Sequence, residues 1–202
     1  MAAQNVSTTK VRATPDPRVE RSREVVLRTT LELLAEVGYG ELSIEGVAAR
    51  SGVAKSTIYR HWSNRDQLIS DAFHALKPPI PVPLEGDVRS KVTVLLEQLA
   101  RTLMSSTWSS CLPALIDAAE RDPDARELHR GLARAGRQVL VDLLTEGVRT
   151  GELPPETDPG LLAEALAGPI VLRRLMAPEP LDPAEVPRLV EQLWPTGVTA
   201  QR

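Results

Sequence analysis

The side chains of this chain best suited to specific polar recognition are crowded into one short run. Lys55, Ser56, Thr57, Tyr59, Arg60 and His61 lie within residues 55–61, and Arg65 follows shortly after. Lysine donates to guanine O6 and N7, a serine hydroxyl serves donor and acceptor edges alike, and threonine adds a methyl contact to thymine. Tyrosine, arginine and histidine at the sides suit phosphate oxygens, which position a protein without reading sequence. This is the chemistry of a double-stranded DNA reader. It needs a rod that enters the major groove and a support that fixes the rod's angle.

The flanking residues supply both. Ile44, Val47, Ala48 and Ser51 recur at helical spacing and form one face of a short helix. Ser43 precedes the run as its N-cap and joins the DNA-contact candidates. Gly52 must end that helix, because glycine tolerates the positive φ of a helix C-terminus. Val53 turns inward, and a second helix over about Lys55–His61 is anchored by Ile58. Ala48 is small where the two helices cross. Small residue, glycine turn and apolar anchor make a helix-turn-helix, whose second helix enters the groove by its N-terminal part. Ser63 and Asp66 then read as a capping-box-like start. Leu68, Ile69, Ala72, Phe73 and Leu76 give the next helix an apolar face.

The run Gly52-Val53-Ala54-Lys55-Ser56-Thr57-Ile58-Tyr59-Arg60-His61-Trp62, followed by Asn64-Arg65-Asp66-Gln67-Leu68, resembles the TetR/AcrR family of transcriptional regulators. That family's usual pattern is Gly-Val-x-x-x-(Thr/Ser)-(Leu/Ile)-Tyr-x-(His/Tyr)-Phe, then a polar turn with Lys-Glu-x-Leu. Here Trp62 stands for Phe, Arg65 for Lys and Asp66 for Glu, and each exchange keeps the chemistry. The similarity covers residues 18–76 and is architectural beyond them. It implies an all-α protein: an N-terminal three-helix DNA-binding domain, then a C-terminal helical domain for ligand binding and dimerisation.

Bulk properties fit. Hydrophobic residues make up 42% of the 202 residues but aromatics only 3%, so the core is built from Leu, Val, Ala and Ile. Leucine and alanine favour helix. Net charge is −3, yet residues 1–77 carry eleven Lys and Arg against nine Asp and Glu, while residues 78–202 carry thirteen against eighteen. The split has the right sign for DNA but is modest, so affinity rests on locally placed cations. One cysteine, Cys111, excludes an intrachain disulfide framework and fits a reducing compartment. No apolar secretory segment and no membrane-length apolar run are visible, so a cytoplasmic protein without membrane contact is expected.

Residues 1–15 are expected to be a disordered arm. Its Lys10 and Arg12, with Arg18, Arg21 and Arg23 soon after, suit the minor groove or phosphates, or equally a solvated tail. Pro17 sits in the first turn of the opening helix, with Asp16 as cap, and Gly38 and Gly40 end it. Tyr39 between them reads as a core plug. Residues 16–76 form the DNA-binding unit. Residues 77–86 hold four prolines and a glycine and form a stiff linker. Residues 87–202 form the second unit. Its pattern predicts a long helix from Val88 to about Leu103, a break at Thr107–Ser110, a helix from Leu112, and three helices opened by Asp122-Pro123, Asp158-Pro159 and Asp182-Pro183. No period-two alternation predicts a sheet.

Two features of the second unit suit an effector, here expected to be a largely apolar small molecule. Pro169 after Gly168 should kink its helix and open space beside it. Met104, Trp108, Cys111 and Met176 supply adaptable or large apolar groups, and Asp117, Arg173 and Arg174 polar ones. For each of them singly, core or dimer interface is the favoured reading. A homodimer is expected because one recognition helix reads few base pairs, whereas two related by a two-fold axis read a palindromic operator. Helices 159–176 and 183–194, with Leu162, Leu166, Leu172 and Leu175, are the expected interface. The resulting function is a repressor released by its ligand, the alternative being an activator or a ligand-independent DNA-binding protein. Catalysis is not expected. There are three histidines (His61, His74 and His129) and no HExxH, GxSxG, Walker or CxxC pattern. No cofactor motif and no metal-ligand spacing is present.

Overall fold

The computed structural model describes residues 17–79, 81–82, 85–177 and 181–195. The expected disorder of residues 1–15 and the cap at Asp16 lie outside the described residues. Among the described residues there are helices and no strands. They are α1 (Pro17–Glu41), α2 (Ile44–Ser51), α3 (Lys55–His61), α4 (Arg65–Ala75), α5 (Val88–Ser105), α6 (Thr107–Ser110), α7 (Leu112–Ala119), α8 (Pro123–Thr150), α9 (Pro159–Leu175) and α10 (Val186–Leu193), the last preceded by a 3-10 turn at Pro183–Glu185. None is long and apolar enough to cross a membrane.

Local signals set most boundaries. Ser43 Oγ accepts from the Gly46 N–H at 3.1 Å and starts α2. Gly52, at φ 70°, closes it in the left-handed region, where a Cβ would be strained. Asp87, Asp122, Asp158 and Asp182 each accept a backbone N–H at a helix start. Three details differ from expectation. The cap of α4 is Asn64, which accepts from Gln67 N at 2.8 Å, while Gln67 Oε1 receives Ser63 N at 2.8 Å. The reciprocal pair is therefore shifted by one residue from Ser63 and Asp66, because Asn64 holds the extended backbone of a cap. Gly38, at φ 80°, interrupts α1, but a further turn continues to Glu41. Residues 107–110 coil into the short α6 where a break was expected, capped by Ser106.

α1 to α4 pack around Leu27, Leu34, Val47, Ile58, Leu68 and Phe73, all buried. In the second half, α5, α8 and α9 form the central layer, with α7 against α8 and α10 against α5. Gly147 lets α5 and α8 approach. A Cβ there would meet Leu153 Cδ1 at 3.0 Å and Val88 Cγ1 at 3.1 Å. The buried cluster runs without a gap from Val26 to Val190. α1 belongs to both halves, packing on α4 at one side and on α6 and α7 at the other.

Candidate nucleic-acid interface and inner cavity

The polar residues picked from the sequence share the free side of α3. Ile58 is fully buried and pins the helix, while Lys55, Ser56, Tyr59, Arg60 and His61 are exposed and Thr57 is half-buried. Lys55 stands in the first turn, paired with the Glu45 carboxylate of α2, and its ammonium lies 5.6 Å from the Tyr59 ring centroid. The hydrogen bond to Glu45 raises the Lys55 pKa above its ordinary value and lowers that of Glu45. Ser43 faces solvent, but its hydroxyl oxygen is engaged with Gly46 N.

Arg65 is engaged inside the protein. Its Nη1 donates to the carbonyls of Tyr39 at 3.1 Å and Gly40 at 3.2 Å, its Nε donates to Asp66, and its guanidinium stacks on the Tyr39 ring at 5.0 Å. It closes the end of α1 against the start of α4. Tyr39 is buried, as expected of a plug, and its hydroxyl donates to Asp66 Oδ1 at 3.0 Å. Burial, and then the neighbouring Asp66 charge, push the Tyr39 phenol above its ordinary value.

A second support has no counterpart in the sequence reading. Asp71 on α4 accepts the indole N–H of buried Trp62 at 2.9 Å and a guanidinium N–H of Arg23 at 3.4 Å. Arg23 also lies over the Trp62 ring, 5.9 Å from its centroid. The residue that ends α3 is thereby bolted to both α1 and α4. A buried indole needs a hydrogen-bond acceptor, and that need was the available signal.

In the second half, α5 to α9 enclose a cavity of about 510 Å3. This is the size of small-molecule sites in general. Leu95, Leu96, Leu99 and Leu103 of α5 form one wall, and Trp108, Leu112, Ile116, Leu132, Leu140 and Ala167 most of the rest. The polar lining is Lys77, Thr102, His129, Arg137, Glu164 and Arg174. Ala133 and Gly136 of α8 and Gly168 and Val171 of α9 both line the cavity and reach the surface, so its mouth lies between these two helices.

Of the expected ligand residues, Trp108 lines the cavity, as do Arg174 and Gly168. Met104 packs on the core, and Cys111 is buried with its thiol donating to Leu31 O at 3.0 Å. Asp117 pairs with Arg121 on the surface. Arg173 does not line the cavity, and Met176, just past α9, is 80% exposed. Pro169 lies within α9 and withholds one ladder hydrogen bond beside the mouth. Leu162 and Leu166 point into the protomer's own core, whereas Leu172 and Leu175 are exposed. The exposed face of α10 is polar over Arg188, Glu191 and Gln192. Large exposed apolar residues gather instead on α9, at Leu161, Val171, Leu172 and Leu175, with Met176 just past it, while α8 and α10 carry one each, Val139 and Leu193.

Trp108 also leaves the cavity's confines. Its Nε1–H donates to the Phe73 carbonyl of α4 at 2.9 Å, and the two rings meet edge-on at 5.9 Å. One side chain thus touches both the cavity and the helix that carries the α2–α3 pair.

Known proteins share this arrangement. Residues 26–72 match the family description "Bacterial regulatory proteins, tetR family", and residues 82–193 match "Tetracyclin repressor-like, C-terminal domain". The DNA-binding transcriptional repressor TetR of Mycobacteroides abscessus is 30% identical over 179 residues, which span 87% of this chain and 93% of that protein. The uncharacterized HTH-type transcriptional regulator YdeS of Bacillus subtilis is 30% identical over 176 residues, 86% of this chain and 88% of its own. The crystal structure of the TetR family transcription regulator SCO0332 superposes with a TM-score of 0.64 at 32% identity, covering 86% of this chain and 96% of that one. With both halves matched in order and the helix-turn-helix in place, the chain belongs to the TetR family of DNA-binding transcriptional regulators.

Proposed function

We propose that this regulator is a cytoplasmic homodimeric repressor, released from a palindromic operator when a largely apolar small molecule fills the α5–α9 cavity. Lys55, Ser56 and Thr57 read base edges, and Tyr59, Arg60 and His61 hold phosphates. Their exposure on one side of a buried-anchored helix supports that assignment. Arg65 and Ser43 act by shaping the reader, since their polar groups are engaged within it. The second copy packs on the apolar surface of α9, which holds more exposed hydrophobic side chains than α8 or α10.

The observation that carries ligand release is the double engagement of Trp108. A ligand that moves its indole moves Phe73 and hence α4. Asp71, two residues back along α4, holds Trp62 at the end of α3. A small shift at the cavity therefore changes the separation of the two recognition helices in the dimer. The ligand must bind the released arrangement more tightly than the DNA-bound one, since equal affinity shifts nothing.

The test is a gel shift on the DNA upstream of the protein's own gene, repeated across a broad metabolite screen. At least one apolar compound is expected to lower DNA affinity, and Ala167→Trp, which fills the cavity, to abolish its effect. If no compound alters DNA affinity, ligand release is refuted while DNA binding stands.

A further inference from the structure

The charges of the cavity lining are unevenly spent. Glu164 is its one acid, and its Oε1 is 3.1 Å from Arg137 Nη2, so these two neutralise each other. Lys77 and Arg174 remain. Among the described residues no carboxylate lies within ion-pair distance of either. Arg174 gives one N–H to the Ser109 carbonyl at 2.9 Å, which holds the guanidinium in place and leaves its other donors available.

Both cations sit at the same end. Lys77 is one helical turn past Phe73, whose carbonyl receives Trp108, and Ser109 is the next residue after Trp108. The Arg137–Glu164 pair lies elsewhere. α8 and α9 form a hairpin, and along α9 the rise from Glu164 to Arg174 is about 15 Å. Along α8, the rise from Arg137 back to His129, also in the lining, is about 12 Å. The cavity is thus apolar along its walls, charge-balanced at one end and cationic at the Trp108 end. A wholly apolar occupant would take water from two unpaired cations without replacing it. An anionic group there makes charge-assisted hydrogen bonds instead.

We propose that the effector is an amphipathic anion, with an apolar chain or ring system against the leucine walls and a carboxylate or phosphate head between Lys77 and Arg174. This rests on the cavity being the effector site. It also gives the head group a direct mechanical role. Lys77 lies two residues beyond Ala75, the last residue of α4, so charge pairing at Lys77 acts on the end of the helix that Trp108 already grips.

The test uses the full-length protein with Nile red, a neutral apolar dye, as reporter. Dodecanoate, dodecan-1-ol and dodecylamine, each below its micellar concentration, compete for the dye; they share a chain and differ in head charge. Dodecanoate is expected to displace it at roughly tenfold lower concentration than the alcohol, with the amine weakest. Dodecyl phosphate in a parallel arm tells a phosphate head from a carboxylate. Lys77→Gln combined with Arg174→Gln should erase the anion's advantage and leave displacement by the alcohol unchanged, whereas Lys77→Arg should keep it. Equal displacement by all three heads, or an advantage that survives the double variant, overturns the anionic head and spares the apolar site. If Ala167→Trp leaves Nile red binding unchanged, the cavity is not the site and both readings fall together.

Discussion

The indole N–H of Trp108 is satisfied by the carbonyl of Phe73, 35 residues earlier in the chain, in a buried contact of 2.9 Å. Trp108→Phe keeps most of the apolar contact and removes the donor. The orphaned carbonyl should cost about 1–3 kcal/mol, read as a lower denaturant midpoint with unchanged slope. DNA release by the effector should weaken in the same variant. Full release with lost stability would show that the hydrogen bond holds the fold without transmitting the signal.

Glu45 pairs with Lys55, the proposed base contact, and on that proposal competes with DNA for it. Exposed ion pairs are worth little, so Glu45→Gln should tighten DNA binding only severalfold. Lys55→Ala should weaken specific binding roughly tenfold or more and reduce the salt dependence. Fluorescence anisotropy with a labelled duplex measures both. The gain from Glu45→Gln should shrink once Lys55 is absent; an unchanged gain would mean that the carboxylate acts by repelling phosphates directly.

Tyr39 links stability to alkaline pH. Its phenol has a folded-state pKa raised above the ordinary 10.0, by burial first and the Asp66 charge second. A raised pKa favours the protonated form in the folded state. The stabilisation is complete below the unfolded value and is lost as pH rises from there towards the folded one. Unfolding midpoints should fall above about pH 10 more steeply in the parent than in Tyr39→Phe. Parallel curves would remove Tyr39 from the linkage. At neutral pH the same substitution should cost about 1 kcal/mol for the lost hydrogen bond to Asp66.

Cys111 should be inert. Burial pushes its thiol up to about 11, and Sγ–H donates to Leu31 O at 3.0 Å. The thiolate is the reactive form, so at pH 8 a disulfide reagent should react slowly with native protein and at once in denaturant. Fast reaction of the native state would mean that the contact between α1 and α6–α7 opens on the timescale of the assay.

The sequence made the reader legible because its signals are local. Ile44, Val47, Gly52 and Ile58 lie within fifteen residues, and each Asp-Pro start needs only its own next turn. Roles fixed by distant partners were opaque. Arg65 looked like a phosphate ligand, yet its acceptors are carbonyls 25 and 26 residues away. Asp71 showed no purpose until Trp62 and Arg23 converged on it. In α9, Leu162, Leu166, Leu172 and Leu175 all read as interface candidates, because the sequence cannot say which part of an almost wholly apolar helix faces inward; only Leu172 and Leu175 are exposed. Met104, Cys111 and Met176 had suitable chemistry, but which residues line a cavity depends on how helices cross, and periodicity within one helix carries no such information.

α1 is shaped to two partners at once, with Leu31 buried and its carbonyl bound to the Cys111 thiol while the same helix braces α4. A chimaera that joins the DNA-reading head of one relative to the body of another at the prolines would therefore graft a helix cut to fit a foreign α6 and α7. New operator specificity is more easily acquired by exchanging α3 alone, from Lys55 to His61, where only Ile58 is committed to the interior.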